Sequence, residues 1–87
     1  MSNSAEEIER GRASAERAVR ELCQAQRTKP PRFEWGSATE EPQRLGIFIE
    51  DLDPIELEFS ISSLGAQGGM EAARLVRRAL VAALRSR

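Results

Sequence analysis

LGIFIEDLDPIELEFSIS, residues 45–62, alternates in hydropathy on both sides of a turn signal. Leu45, Ile47 and Ile49 share one face of an extended chain, and Gly46, Phe48 and Glu50 share the other. Ile55, Leu57, Phe59 and Ile61 then alternate with Glu56, Glu58, Ser60 and Ser62. Side chains of a strand point to opposite faces with period two, so the pattern predicts a β-hairpin with one apolar and one acidic face. Between its arms Asp51-Leu-Asp-Pro54 presets the turn, because Asp bonds nearby backbone amides and Pro fixes φ.

Working back from the hairpin, Phe33 and Trp35 flank Glu34 ahead of Gly36, a short strand within a Pro-rich and polar connecting segment, 28–43. Ser4-Ala-Glu-Glu7 fits a capping box that starts a helix running to about Arg27. Lys29-Pro30-Pro31 ends it, since neither proline continues the hydrogen-bond ladder. On this helix Ile8, Ala15, Val19 and Leu22 fall on one narrow stripe, flanked by Ala18 and Cys23. Gly11, Ala18 and Ala25 repeat at heptad spacing, which predicts a seam for close helix–helix approach, within the chain's own core or against a second copy. Glu6–Arg10, Arg12–Glu16, Glu16–Arg20 and Arg17–Glu21 stand at i,i+4 and would lace the solvent face.

After the hairpin, Gly65–Gly69 reads as a flexible connector into a second helix over 70–84. Ala72, Leu75, Val76, Ala79, Leu80, Ala83 and Leu84 form its apolar face, with Arg74, Arg77, Arg78 and Arg85 opposite and Val81 among them. The expected architecture is one small α+β domain spanning 1–87, residues 1–3 disordered. Its order is N-terminal helix, short strand, antiparallel hairpin and a C-terminal helix packed on the apolar sheet face.

Composition narrows the function classes. The chain has 87 residues, 40% apolar, with no His, no Tyr and a single Cys. A core of that size is marginal alone, which favours a homo-oligomer or a subunit of a permanent complex. No apolar run approaches the ~20 residues that span a bilayer, and the polar, acidic N-terminus does not resemble a secretory signal, so the expectation is a cytoplasmic protein without membrane contact. One Cys makes no internal disulfide and offers no zinc set. Charge is zoned although the net is −1: residues 45–71 hold six acids and no base, and 72–87 hold five arginines and no acid.

Each candidate site has a plain structural alternative. Gly65–Gly69 lies between strand and helix, yet Gly69-Met70-Glu71 replaces the Gly-Lys-Ser/Thr that a phosphate loop needs. Asp51, Asp53 and Glu56 lack the oxygen ligand and glycine that a calcium loop needs after Asp-x-Asp. Glu50, Glu56 and Glu58 sit where no burial would tune them for acid–base work, and Cys23 reads as a small core residue. No catalytic residue, cofactor or metal is expected.

The sequence therefore predicts a non-catalytic protein-interaction module, an adaptor, accessory or assembly subunit, that is homodimeric. Its expected contact residues are the seam Ile8, Ala15, Val19 and Leu22, the acidic Glu56 and Glu58, and the arginines 74, 77, 78 and 85. One alternative is a small nucleic-acid-binding regulator using the arginine face, which the near-neutral net charge disfavours. Another is an acidic inhibitor or immunity protein that offers its hairpin to a basic active site. Phe48, exposed on the polar strand face, is a further contact candidate beside Trp35 and Val81.

Overall fold

The computed structural model describes residues 4–37 and 39–86, except for the side chains of 4, 66 and 68. Helix α1 spans Ser4–Ala25, and strands β1 (Arg32–Trp35), β2 (Gln43–Phe48) and β3 (Ile55–Phe59) follow. A short helix α2 (Ile61–Gly65) and a 3₁₀ turn (Ala66–Gly69) lead into α3 (Met70–Arg85). The strands form one antiparallel sheet in the order β1-β2-β3. This is the α+β fold that the hydropathy pattern predicts, with α3 packed on the apolar sheet face.

Register explains the layering. Phe33, Ile47 and Ile55 lie on one cross-strand rung, and Trp35, Leu45 and Leu57 on the next. These inward residues meet Val19 of α1 and Val76 and Leu80 of α3 in a single core. Both helices therefore cover one face and leave the other open. Gly69, at the start of α3, accepts a 2.8 Å hydrogen bond from Ser14 Oγ, and Arg77 further along reaches Glu21. The two helices thus run in the same direction. Ala15 and Ala18 on α1 and Ala72 and Ala73 on α3 are all buried and small enough to allow that approach.

Four sequence expectations are corrected. The second hairpin strand ends at Phe59, not Ser62, because Ser60 caps α2 instead: its Oγ accepts the Ser63 amide at 3.1 Å. Glu41, brought over by the loop before β2, accepts the Ile61 amide at 3.1 Å. Local capping outcompetes the alternating pattern, which Ile61 and Ser62 continue only by composition. Replacing Ser60 with Ala should cost about 1 kcal/mol in a urea melt, the usual worth of an N-cap. A two-state curve with an unchanged midpoint would show that Glu41 alone holds the helix start.

The segment 65–69 is helical and packed on α1, not a flexible linker. Leu64, fully buried beside it, drives this, and Gly69 supplies the turn with φ 93°, a conformation natural to glycine. Helix α1 ends at Ala25, before the prolines. Arg27 adopts φ 58°, the Thr28 amide bonds the Cys23 carbonyl and the Arg27 amide bonds the Gln24 carbonyl. Those two bonds are a Schellman motif, which satisfies the last carbonyls with an arginine in the place usually held by glycine. The Ser4 half of the predicted capping box lies outside the described side chains; the helix already includes Ser4, and the Glu7 carboxylate lies against Gly65.

The fourth correction concerns the seam. Ile8, Ala15 and Val19 are buried within the chain itself, and Leu22 is half-buried against the same core. With only 87 residues, the stripe is consumed in covering the sheet and α3, and it presents no surface to a second copy.

Candidate interaction surfaces

The open face of the sheet carries the even-numbered strand residues. Glu34, Gly46 and Glu56 stand side by side on one rung, so two carboxylates flank a position with no side chain. Phe48 follows on β2 opposite Arg32, and its ring leans back over the glycine; a Cβ at Gly46 would lie 3.3 Å from Phe48 Cε2. The Arg32 guanidinium sits 5.4 Å from the Phe48 ring centroid. Arg44 and Glu58 pair across the strands at 3.6 Å, with both side chains more than half exposed. Glu34, Arg44, Gly46, Phe48, Glu56 and Glu58 line a shallow groove on this face. Glu34 and Glu56 enter no ion pair among the described residues, so their charges face solvent.

Strand alternation places Glu56 and Glu58 here, and the sequence shows this directly. Trp35 and Phe48, expected as possible neighbours, lie on opposite faces of the sheet. Trp35 points to the helices, where its Nε1 donates to Glu16 at 2.8 Å and its ring lies 6.3 Å from that of Phe59. Glu16 also accepts from Arg20 at 3.0 Å.

The arginine face of α3 lies on the far side of the molecule. Arg74 pairs with Glu71 of its own helix at 3.5 Å, and Arg77 with Glu21 of α1 at 3.8 Å. Arg78 and Arg85 are exposed and make no ion pair among the described residues. Val81 and Met70 are the exposed large apolar side chains near them. The hairpin carboxylates find other partners: Glu50 meets Lys29 at 3.2 Å and Glu58 meets Arg44. Apart from Arg74 with Glu71, no ion pair among the described residues joins the acidic stretch 45–71 to the basic stretch 72–87. The hairpin carboxylates lie across the sheet from the arginines of α3.

One polar cluster escaped the sequence reading. Gln43 is fully buried at the start of β2, in phase with Leu45 and Ile47. Its Oε1 accepts from Arg12 Nη2 at 2.6 Å, and its Nε2 donates to the carbonyls of Glu40 at 2.7 Å and Ser37 at 3.1 Å. Arg12 also donates to the Gly36 carbonyl at 3.1 Å and lies 4.7 Å over the Trp35 ring. It thus leaves the helix-surface pairing with Glu16 that its spacing suggests. The signal for Gln43 was present: it continues the inward register two residues before Leu45.

Cys23 is a buried free thiol beside Ile49 and Leu80, at a gap too narrow for a ligand. Among the described residues no group of three or more His, Cys, Asp or Glu could hold a metal, and no helix is long and apolar enough to cross a membrane. The chain matches no protein-family model, and no curated protein or solved structure shows significant similarity to it.

Proposed function

We propose that this chain is a non-catalytic protein-interaction module, acting in the cytoplasm, whose contact surface is the open face of the sheet. The observation that carries this reading is the rung Glu34–Gly46–Glu56 with Phe48 leaning over it. Two unpaired carboxylates beside an aromatic ring suit a cationic side chain, which gains Coulomb attraction from both and competes with Arg32 for the ring. Gly46 leaves the space that the Phe48 ring occupies, so the ring lies over the rung between the two carboxylates. The partner is accordingly a basic protein segment, an adaptor's or inhibitor's target, and the same carboxylates would repel a phosphate backbone. The arginines of α3 offer a weaker case for nucleic acid, because two of them are already paired.

The test is an NMR titration of the labelled chain with extended peptides that are basic, neutral or acidic. Basic peptides should shift the amides of residues 46, 48 and 56 in a salt-dependent way. Charge reversal at Glu56, or Phe48→Ala, should weaken that binding by about tenfold, the worth of one cation–ring or carboxylate contact. Shifts confined to the α3 face, or none with any peptide, would overturn the assignment.

A further inference from the structure

The sheet has two unpaired edges, and they differ in what they can accept. Gly36 donates its amide to the Arg44 carbonyl, in register with the β1–β2 ladder. In an antiparallel pair hydrogen-bonding residues alternate. Positions 32, 34 and 36 therefore spend their backbone groups on β2, and the N–H and C=O of Phe33 point outward from the free edge. By the same alternation Glu56 and Glu58 present theirs along the outer edge of β3.

We propose that β1 is a homodimerisation edge, pairing antiparallel with β1 of a second copy about a two-fold axis at Phe33. The proposal goes beyond the open-face reading and does not depend on it. In that register each Phe33 exchanges both backbone hydrogen bonds with its counterpart, and each Trp35 amide reaches the partner's Pro31 carbonyl. Arg32 of one copy falls opposite Glu34 of the other, twice, on the open face. These are non-hydrogen-bonded positions, where side chains of an antiparallel pair approach most closely. On the helix side the two half-buried Phe33 rings meet and lose further surface to water.

Charge selects this register and this edge. Centring the axis one residue earlier sets Arg32 against Arg32, and one residue later sets Glu34 against Glu34. On β3 an axis at Glu56, Leu57 or Glu58 always places glutamate opposite glutamate, so that edge resists self-pairing. The resulting dimer has one continuous six-stranded sheet with the acidic β3 strands at both ends. It also relieves the small-core problem that the chain length poses.

The experiment is native mass by size-exclusion chromatography with light scattering over a wide concentration series. The unmodified chain should dimerise. Arg32→Glu alone and Glu34→Arg alone should each raise the dimer dissociation constant by about tenfold or more, since two attractive cross-strand pairs become repulsive. Mixing the two single variants should restore a dimer, now a heterodimer, because an all-acidic edge then faces an all-basic one. The double variant should also recover self-association, and a misfolded chain would do neither. A monomer at every concentration, or a dimer that ignores both single charge reversals, overturns the proposal. The dimer engages Glu34 but leaves Phe48 and Glu56 open, so the peptide titration is read at those two and repeated on the Arg32→Glu variant. A monomeric chain that still binds leaves the open-face reading standing, and a dimer that binds no peptide leaves the edge standing.

Discussion

Replacing Gly11 by Ala is expected to destabilise the protein by about 2 kcal/mol or more, read as a fall in the urea midpoint at constant slope. Helix propensity alone points the other way. Gly11 lies inside a 22-residue helix, where alanine is worth about 1 kcal/mol over glycine. Packing reverses the sign. A Cβ at this position would overlap the Leu64 carbonyl, standing 2.7 Å from both its carbonyl carbon and Leu64 Cγ. Leu64 is fully buried, and the neighbouring backbone is fixed by the Ser60 cap and by Gly69 against Ser14. Neither side of the contact gives way easily, so α2 must lift from α1 and expose core. Overpacking typically costs roughly 1–3 kcal/mol and sometimes more, and an overlap with backbone this close belongs at the upper end. About 2 kcal/mol therefore remains after the propensity gain is cancelled. A variant with raised stability would mean that α2 is held only loosely, and that the sheet and the two long helices fold without it.

That reversal shows where a single sequence is readable and where it is not. Period-two and period-3.6 patterns report which side of an element is apolar, and β2, β3 and α3 follow them except at Gln43, polar yet buried, and Ala73, buried beside the predicted stripe. Leu45, Ile47, Val76 and Leu80 point inward as the alternation and the helical stripe require. Patterns do not report the partner. The stripe of Ile8, Ala15 and Val19 is equally suited to a second copy or to the chain's own α3, and only the three-dimensional packing shows that α3 takes it. Gly11 reads as part of a small-residue seam, but that its neighbour is Leu64 of α2 is visible only in three dimensions. The α2 turn was hidden because Ile61 and Ser62 continue a strand alternation, while its cause, a cap at Ser60 and the carboxylate of Glu41, involves residues twenty positions apart. The open-face groove was half legible. Alternation places Glu56, Glu58 and Phe48 there, but the rung that joins Glu34 to Gly46 and Glu56 depends on the β1–β2 register, which composition does not fix.

Gln43→Leu should be the other severe change, lowering stability by about 2–4 kcal/mol although it puts an apolar side chain of similar size into a fully buried site. Hydrophobic transfer favours leucine, and the loss comes from the groups left behind. The Arg12 guanidinium is part-buried and gives Gln43 its shortest hydrogen bond, 2.6 Å. Bonds to a charged group contribute about 1.5–3 kcal/mol. Arg12 would lose its acceptor on Gln43 and keep only the Gly36 carbonyl among the described residues. The carbonyls of Ser37 and Glu40 would lose the same amide, so the loop that leads into β2 loosens at its base. A thermodynamic cycle apportions the effect. Arg12→Met combined with Gln43→Leu removes both partners, retains the contact of a long side chain with Trp35, and should recover part of the loss, because no part-buried guanidinium is then left short of an acceptor. Gln43→Glu keeps an acceptor for Arg12 near neutral pH but sets a carboxylate oxygen against the Ser37 and Glu40 carbonyls, so it should recover the Arg12 part of the loss and not the loop part. Equal and additive losses in the single and double variants would show that Arg12 and Gln43 act separately. The cluster would then be a set of independent contacts, not one coupled unit fastening α1 to the sheet.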